Sequence, residues 1–121
     1  MDHHLSDFIE LFNDRCFFDA HEVLEDLWIE SEGEVKDFYK GLIQCAVAFV
    51  HLQRNNFRGA KKVYGTSCGY LQRYLPDYEE VNTEKLLKDF VEFFETIVSD
   101  AENRGEPVDM DSNETPTIEL V

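Results

Sequence analysis

Leu42-Ile43-Gln44-Cys45-Ala46-Val47-Ala48-Phe49-Val50 is the stretch on which the fold turns. Gln44 is its only polar residue, so a helix built from it is buried nearly all round rather than along one stripe. Nine such residues are far too few to cross a bilayer, which makes this a core helix. It belongs to a third helix of roughly residues 36–54, placed at the centre of the molecule.

Working outward, helical periodicity continues in both directions. On the N-terminal side, Ser6 can cap a first helix carrying Phe8, Ile9, Leu11 and Phe12. A capping-box pattern, Asp19-Ala20-His21-Glu22, opens the second, with Phe18 and Val23 at the staple positions. Ala20, Val23, Leu24, Leu27 and Trp28 form its apolar face, and Gly33 ends it. On the C-terminal side, Asn55-Asn56 make a turn, because Asn tolerates left-handed backbone angles. A fourth helix runs from about Phe57 to Tyr74 and stops before Pro76. Gly59, Gly65 and Gly69 weaken it by about 1 kcal/mol each relative to Ala. Close approach of a neighbour at Gly65 and Gly69 would compensate; a break near Gly65 is the alternative. Asn82 caps a fifth helix, with Val81 and Leu86 as its staple.

These elements predict an all-α fold, a single compact bundle of about five helices over residues 1–104. Residues 105–121 have no period, two prolines and mostly acidic charge, and read as a disordered acidic tail. The fifth helix carries a wide apolar face over residues 86–98, which the bundle or a second copy of the chain must cover.

Charge excludes some function classes. The chain has 121 residues, 26 acidic against 11 basic, for a net charge of −15. A surface of that sign disfavours nucleic acid and anionic membranes as partners. Three cysteines with no CxxC pair provide neither a disulfide framework nor a cysteine zinc site. Met1-Asp2-His3-His4 lacks the build of a signal peptide, so a reduced, cytoplasmic setting is expected. The charge is also partitioned. Residues 38–76 hold six Lys or Arg and no acid, between segments of net −10 and −11. Arg54, Arg58, Lys61, Lys62 and Arg73 therefore either pair with the acidic ends or form an anion-binding face for an acidic or phosphorylated partner.

One polar constellation stands out. On the second helix His21 and Trp28 share a row at the edge of the apolar face, with Glu25 one turn from His21. Lys40, Gln44 and His51 form a polar row on the third. If the two helices pair antiparallel across the Gly33 loop, the rows meet, and His21, Glu25, Gln44 and His51 line one pocket with Trp28 as its apolar wall. Such a set is either a hydrogen-bond network that registers two helices, a small-molecule pocket, or a divalent metal site of His21, Glu25 and His51. The last would suit a hydrolase-like enzyme, but HExxE here is not HExxH, and no reaction is spelled out. Cys16 and Cys45 read as packed thiols, Cys68 as either buried or half exposed, and His3 and His4 as residues of a mobile terminus.

Two segments carry a resemblance. Residues 17–28, FFDAHEVLEDLW, and residues 38–54, FYKGLIQCAVAFVHLQR, resemble the paired signatures of domain of unknown function 309, a family of small helical proteins. The resemblance covers roughly residues 5–78. It implies an all-helical fold and no assigned activity. The family's recurrent polar positions fall on His21, Glu22, Glu25, Trp28, Gln44, His51, Asn56 and Gly59. The chain thus reads as an uncharacterised structural or ligand-binding domain, with the hydrolase and the interaction module as alternatives.

Overall fold

A computed structural model describes residues 1–121. It is all-α, with α1 (His3–Asn13), α2 (Phe17–Glu30), α3 (Glu34–Gln53), α4 (Phe57–Leu71) and α5 (Thr83–Phe93). A 3₁₀ turn (Gln72–Tyr74) follows α4. The α5 rod continues through a π-helical turn (Phe94–Val98) into a last segment, Ser99–Arg104. Gly105 ends it in the left-handed conformation at φ 66°. No helix is long and apolar enough to cross a membrane.

The core is organised around α3. Phe49 stacks on Phe17 at 4.7 Å and meets Phe12 edge-on at 5.8 Å. On its other side it faces Phe90 and Phe93, at 5.6 and 5.8 Å. One ring therefore joins α1, α2 and α5 to the central helix. Such aromatic pairs contribute beyond their buried area.

Several helix ends differ from the local reading, each for a physical reason. The first helix starts at His3, because the Asp2 carboxylate accepts the His4 N–H at 2.8 Å and caps it. Ser6 lies inside. The second starts at Phe17, with Cys16 as a cap whose side chain makes no capping bond. Burial of Phe17 between Phe12 and Phe49 draws residues 17 and 18 into the helix ahead of Asp19. The turn at Asn55 is left-handed as expected, φ 57°. Asn82 caps α5 by accepting the Lys85 N–H at 3.1 Å.

The α4 helix is unbroken through Gly65. A Cβ at Gly65 or Gly69 would meet nothing within 4 Å, so no helix approaches there. The close contact is made at Gly41 instead, where a Cβ would come within 2.9 Å of Leu71 Cδ2 and 3.0 Å of Tyr70 Cβ. Ser67, buried opposite, donates its hydroxyl to the Gly41 carbonyl at 2.8 Å.

Most of the apolar face over residues 86–98 is covered by the chain itself. Leu86, Phe90, Phe93, Phe94 and Val98 are buried, while Leu87, Val91 and Ile97 remain partly exposed.

The expectation of a disordered acidic tail is overturned. Residues 105–121 form a strap laid across the helices. Val108, Thr115 and Ile118 are buried. Asn13 of α1 grips Ile118 on both sides, donating Nδ2–H to its carbonyl at 2.9 Å and accepting its N–H at 2.7 Å. Arg15 donates to the Met110 carbonyl at 2.6 Å and the Ser112 carbonyl at 3.2 Å. The Val121 N–H reaches the Glu80 carbonyl at 2.9 Å, and the Asn82 N–H the Glu119 carbonyl at 2.8 Å. Composition argued for disorder because these few apolar anchors are spaced without period. The partners of the segment lie from about forty to 105 positions earlier.

Candidate functional site

The α2–α3 pair is antiparallel, and two cation–π contacts define its register. At one end Lys36 Nζ and Lys40 Nζ stand 4.8 and 4.9 Å from the Trp28 ring centroid. At the other, the Arg54 guanidinium lies 5.7 Å from the Phe18 ring. These two contacts mark the seam between α2 and α3; His21, Trp28, Lys40, Gln44 and His51 are each half-buried, and Glu25 is exposed.

Each histidine has its own local partner. The His21 Nδ1 bonds with the Phe18 carbonyl of the preceding turn, and its Nε2 lies 3.8 Å from Glu25 Oε2. Phe18 packs edge-on against the His21 ring at 4.8 Å. His51 Nδ1 accepts a hydrogen bond from Asn56 Nδ2 at 3.2 Å. No hydrogen bond or ion pair joins His21 or Glu25 to Gln44 or His51. The Gln44 carboxamide is engaged by no side-chain hydrogen bond.

His21, Glu25 and His51 do not place their ligand atoms within 4.8 Å of one another, and the one group of three that does is Asp2, His3 and His4. The Asp2 carboxyl is held below its ordinary pKa first by the His4 backbone N–H, so an anionic oxygen stands beside two imidazoles. Such a cluster can coordinate a metal ion. Adjacent positions in the sequence were its only signal.

The basic residues of the middle segment divide. Lys61 pairs with Glu102 at 2.9 Å and Arg73 with Asp37 at 3.6 Å. Arg54 goes to the Phe18 ring, and Arg58 and Lys62 are exposed without an ion pair. Among the thiols, burial pushes Cys45 well above its ordinary pKa and Cys68 upward as well, which makes neither a ready nucleophile.

Sequence reasoning missed Lys36, although it stands one turn before Lys40 on the same face. It also missed Asn13 and Arg15, whose role as tail anchors has no local signal.

The comparisons with known proteins agree on the helical segment. A family model described as Domain of unknown function (DUF309) matches residues 5–63. Over 65 residues the chain is 38% identical to the Uncharacterized protein YpuF of Bacillus subtilis (strain 168). That alignment takes 53% of this chain and 37% of the relative, so the likeness spans little more than a third of that protein's length.

Proposed function

We propose that this chain, which carries the DUF309 domain over residues 5–63, acts by binding, and that the α2–α3 seam takes a small anionic ligand. The observation that carries the reading is the placement of Lys36 and Lys40. In a chain with 26 acidic and 11 basic residues, both ammonium groups go to one indole ring and neither makes an ion pair. Each contact contributes about 0.5–1 kcal/mol at an exposed site, but two like charges converge without an anion between them. A phosphate or carboxylate oxygen seated there would meet both ammonium groups and the unengaged Gln44 carboxamide, one turn beyond Lys40. The hydrolase alternative is weakened because His21 and His51 each bond to a separate neighbour, the Phe18 carbonyl and the Asn56 carboxamide.

Trp28 is the only tryptophan, so its fluorescence reports on this seam alone. Inorganic phosphate and citrate are titrated against sodium chloride of equal ionic strength. A saturable change with either anion, lost in Lys36→Gln/Lys40→Gln and kept in Lys62→Gln, is the expected result. A response no different from that to chloride would sink the reading.

A second reading rests on Asp2, His3 and His4, whose two imidazoles and one carboxylate suit zinc or nickel. Equilibrium dialysis of untagged protein should then show one ion per chain, lost in His3→Ala/His4→Ala. Substoichiometric metal in the unsubstituted protein removes it.

A further inference from the structure

The outer face of α5 holds a groove of about 480 Å³ that nothing in the chain fills. Its floor is apolar. Leu87 and Val91, one turn apart on the helix, are partly exposed beside the sealed row of Leu86 and Phe90. Leu75, beyond the end of α4, also lines it and is 46% exposed, so the three apolar side chains form one contiguous patch. The rim is charged and lopsided. Glu84, Glu92 and Glu95 stand against a single Lys88, and none of the four is engaged in an ion pair.

The groove runs from Glu84 to Thr96, about three turns of helix at 1.5 Å per residue. Its length and apolar stripe suit an apolar helix face laid along it, with anchors at every third or fourth position. Charge decides the occupant. A second copy would bring the same three carboxylates, and the same net charge of −15, against this rim. A basic segment would meet them with complementary charge, which favours both encounter and register.

We propose that this groove docks an amphipathic helix of another protein, about three turns long, apolar on one face and flanked by Lys or Arg. The proposal is independent of the α2–α3 seam, because none of the groove residues lies within residues 5–63.

The test uses the full chain and a synthetic 18-residue peptide of leucine and lysine with all leucines on one helical face. A peptide of the same composition in scrambled order is the control, and binding is read by fluorescence anisotropy. The amphipathic peptide should bind at least tenfold more tightly than the scrambled one. Leu75→Ser should erase that preference, as should Leu87→Ser/Val91→Ser, although neither variant changes the charge. Leu75 is outside the helices and exposed, so its variant keeps the fold, which circular dichroism checks. Glu84→Gln/Glu92→Gln/Glu95→Gln should weaken binding and flatten its salt dependence. Equal binding of the two peptides, or an unchanged preference in Leu75→Ser, would overturn the proposal by reducing it to general charge attraction. It is equally overturned if sedimentation shows the unsubstituted chain to be a dimer that Leu75→Ser converts to monomer, for the occupant is then a second copy.

Discussion

Asn56 donates its carboxamide N–H to Nδ1 of His51 across 3.2 Å, and its Oδ1 in turn accepts the Gly59 N–H at 2.9 Å. One side chain thus ties the end of α3 to the start of α4. Three of the polar positions implied by the family resemblance are accounted for by this turn. A Cβ at Gly59 would come within 2.5 Å of Asn56 Nδ2 and 3.0 Å of His51 Nδ1, so the glycine makes room for the bond.

The three exposed or half-exposed glycines of α4 should therefore respond with opposite signs. Gly65→Ala and Gly69→Ala each gain up to about 1 kcal/mol from helix propensity, since both face open space. Gly59→Ala loses stability despite the same propensity gain, because it displaces the Asn56 cap. Asn56→Ala costs about 0.5–2 kcal/mol. Urea unfolding of the four variants checks this, and a stabilised Gly59→Ala would refute the account of the turn.

The strap makes a second prediction. Asn13→Ala removes both bonds to Ile118 and leaves a part-buried N–H and carbonyl unpaired, at about 1–3 kcal/mol. Amide exchange should show the Ile118 and Val121 N–H groups protected in the unsubstituted protein and released in Asn13→Ala. Rapid exchange of both in the unsubstituted chain would return the segment to disorder.

Phe49 is expected to be the costliest single truncation. Its removal strips ring contacts to α1, α2 and α5 at once, so Phe49→Ala should destabilise by about 3–5 kcal/mol. Phe18, 45% exposed and in contact with Arg54, should lose far less on the same change. Thermal melts of the pair decide it.

Alkaline pH should unfold the protein within a defined window. Burial raises the Tyr39 and Tyr64 phenols from 10.0 to about 12. Between those values the unfolded chain has shed protons that the folded chain retains, so stability falls as pH rises across the window. Lys85 acts in the same direction. The hydrogen bond to Asp89 raises its pKa, and the stability this contributes is lost as pH climbs through that raised value. Melting temperature from pH 9 to 12, followed with tyrosinate absorbance, should decline together with phenol ionisation. A flat profile to about pH 12 would contradict it.

Local patterns carried much of this architecture. The buried stretch from Leu42 to Val50, the left-handed Asn55 and the Asn82 cap all depend on neighbours within one or two turns, and those can be read along the chain. The start of α2 could not be, because Phe17 enters the helix on account of Phe49, which lies thirty-two positions away. The seam was legible in part. Helical spacing set His21, Glu25 and Trp28 in one row and Gln44 and His51 in another, but it did not say that His21 would bond to the Phe18 carbonyl and His51 to Asn56. It also gave no reason for Lys36 to join Lys40 at Trp28.

That the chain is helical, where most helices lie and which helix is central can be read along the sequence, because hydrophobic period and capping act over a few residues. The order of the acidic segment and the roles of the glycines come from long-range packing. Asn13 and Ile118 are 105 positions apart, and no local pattern links them. Gly41 takes the close helix contact in place of Gly65 and Gly69, because packing brings Leu71 and Tyr70 over it. Propensity is a property of the near neighbours in sequence, whereas order in a polar strap comes from the distant groups that satisfy its backbone.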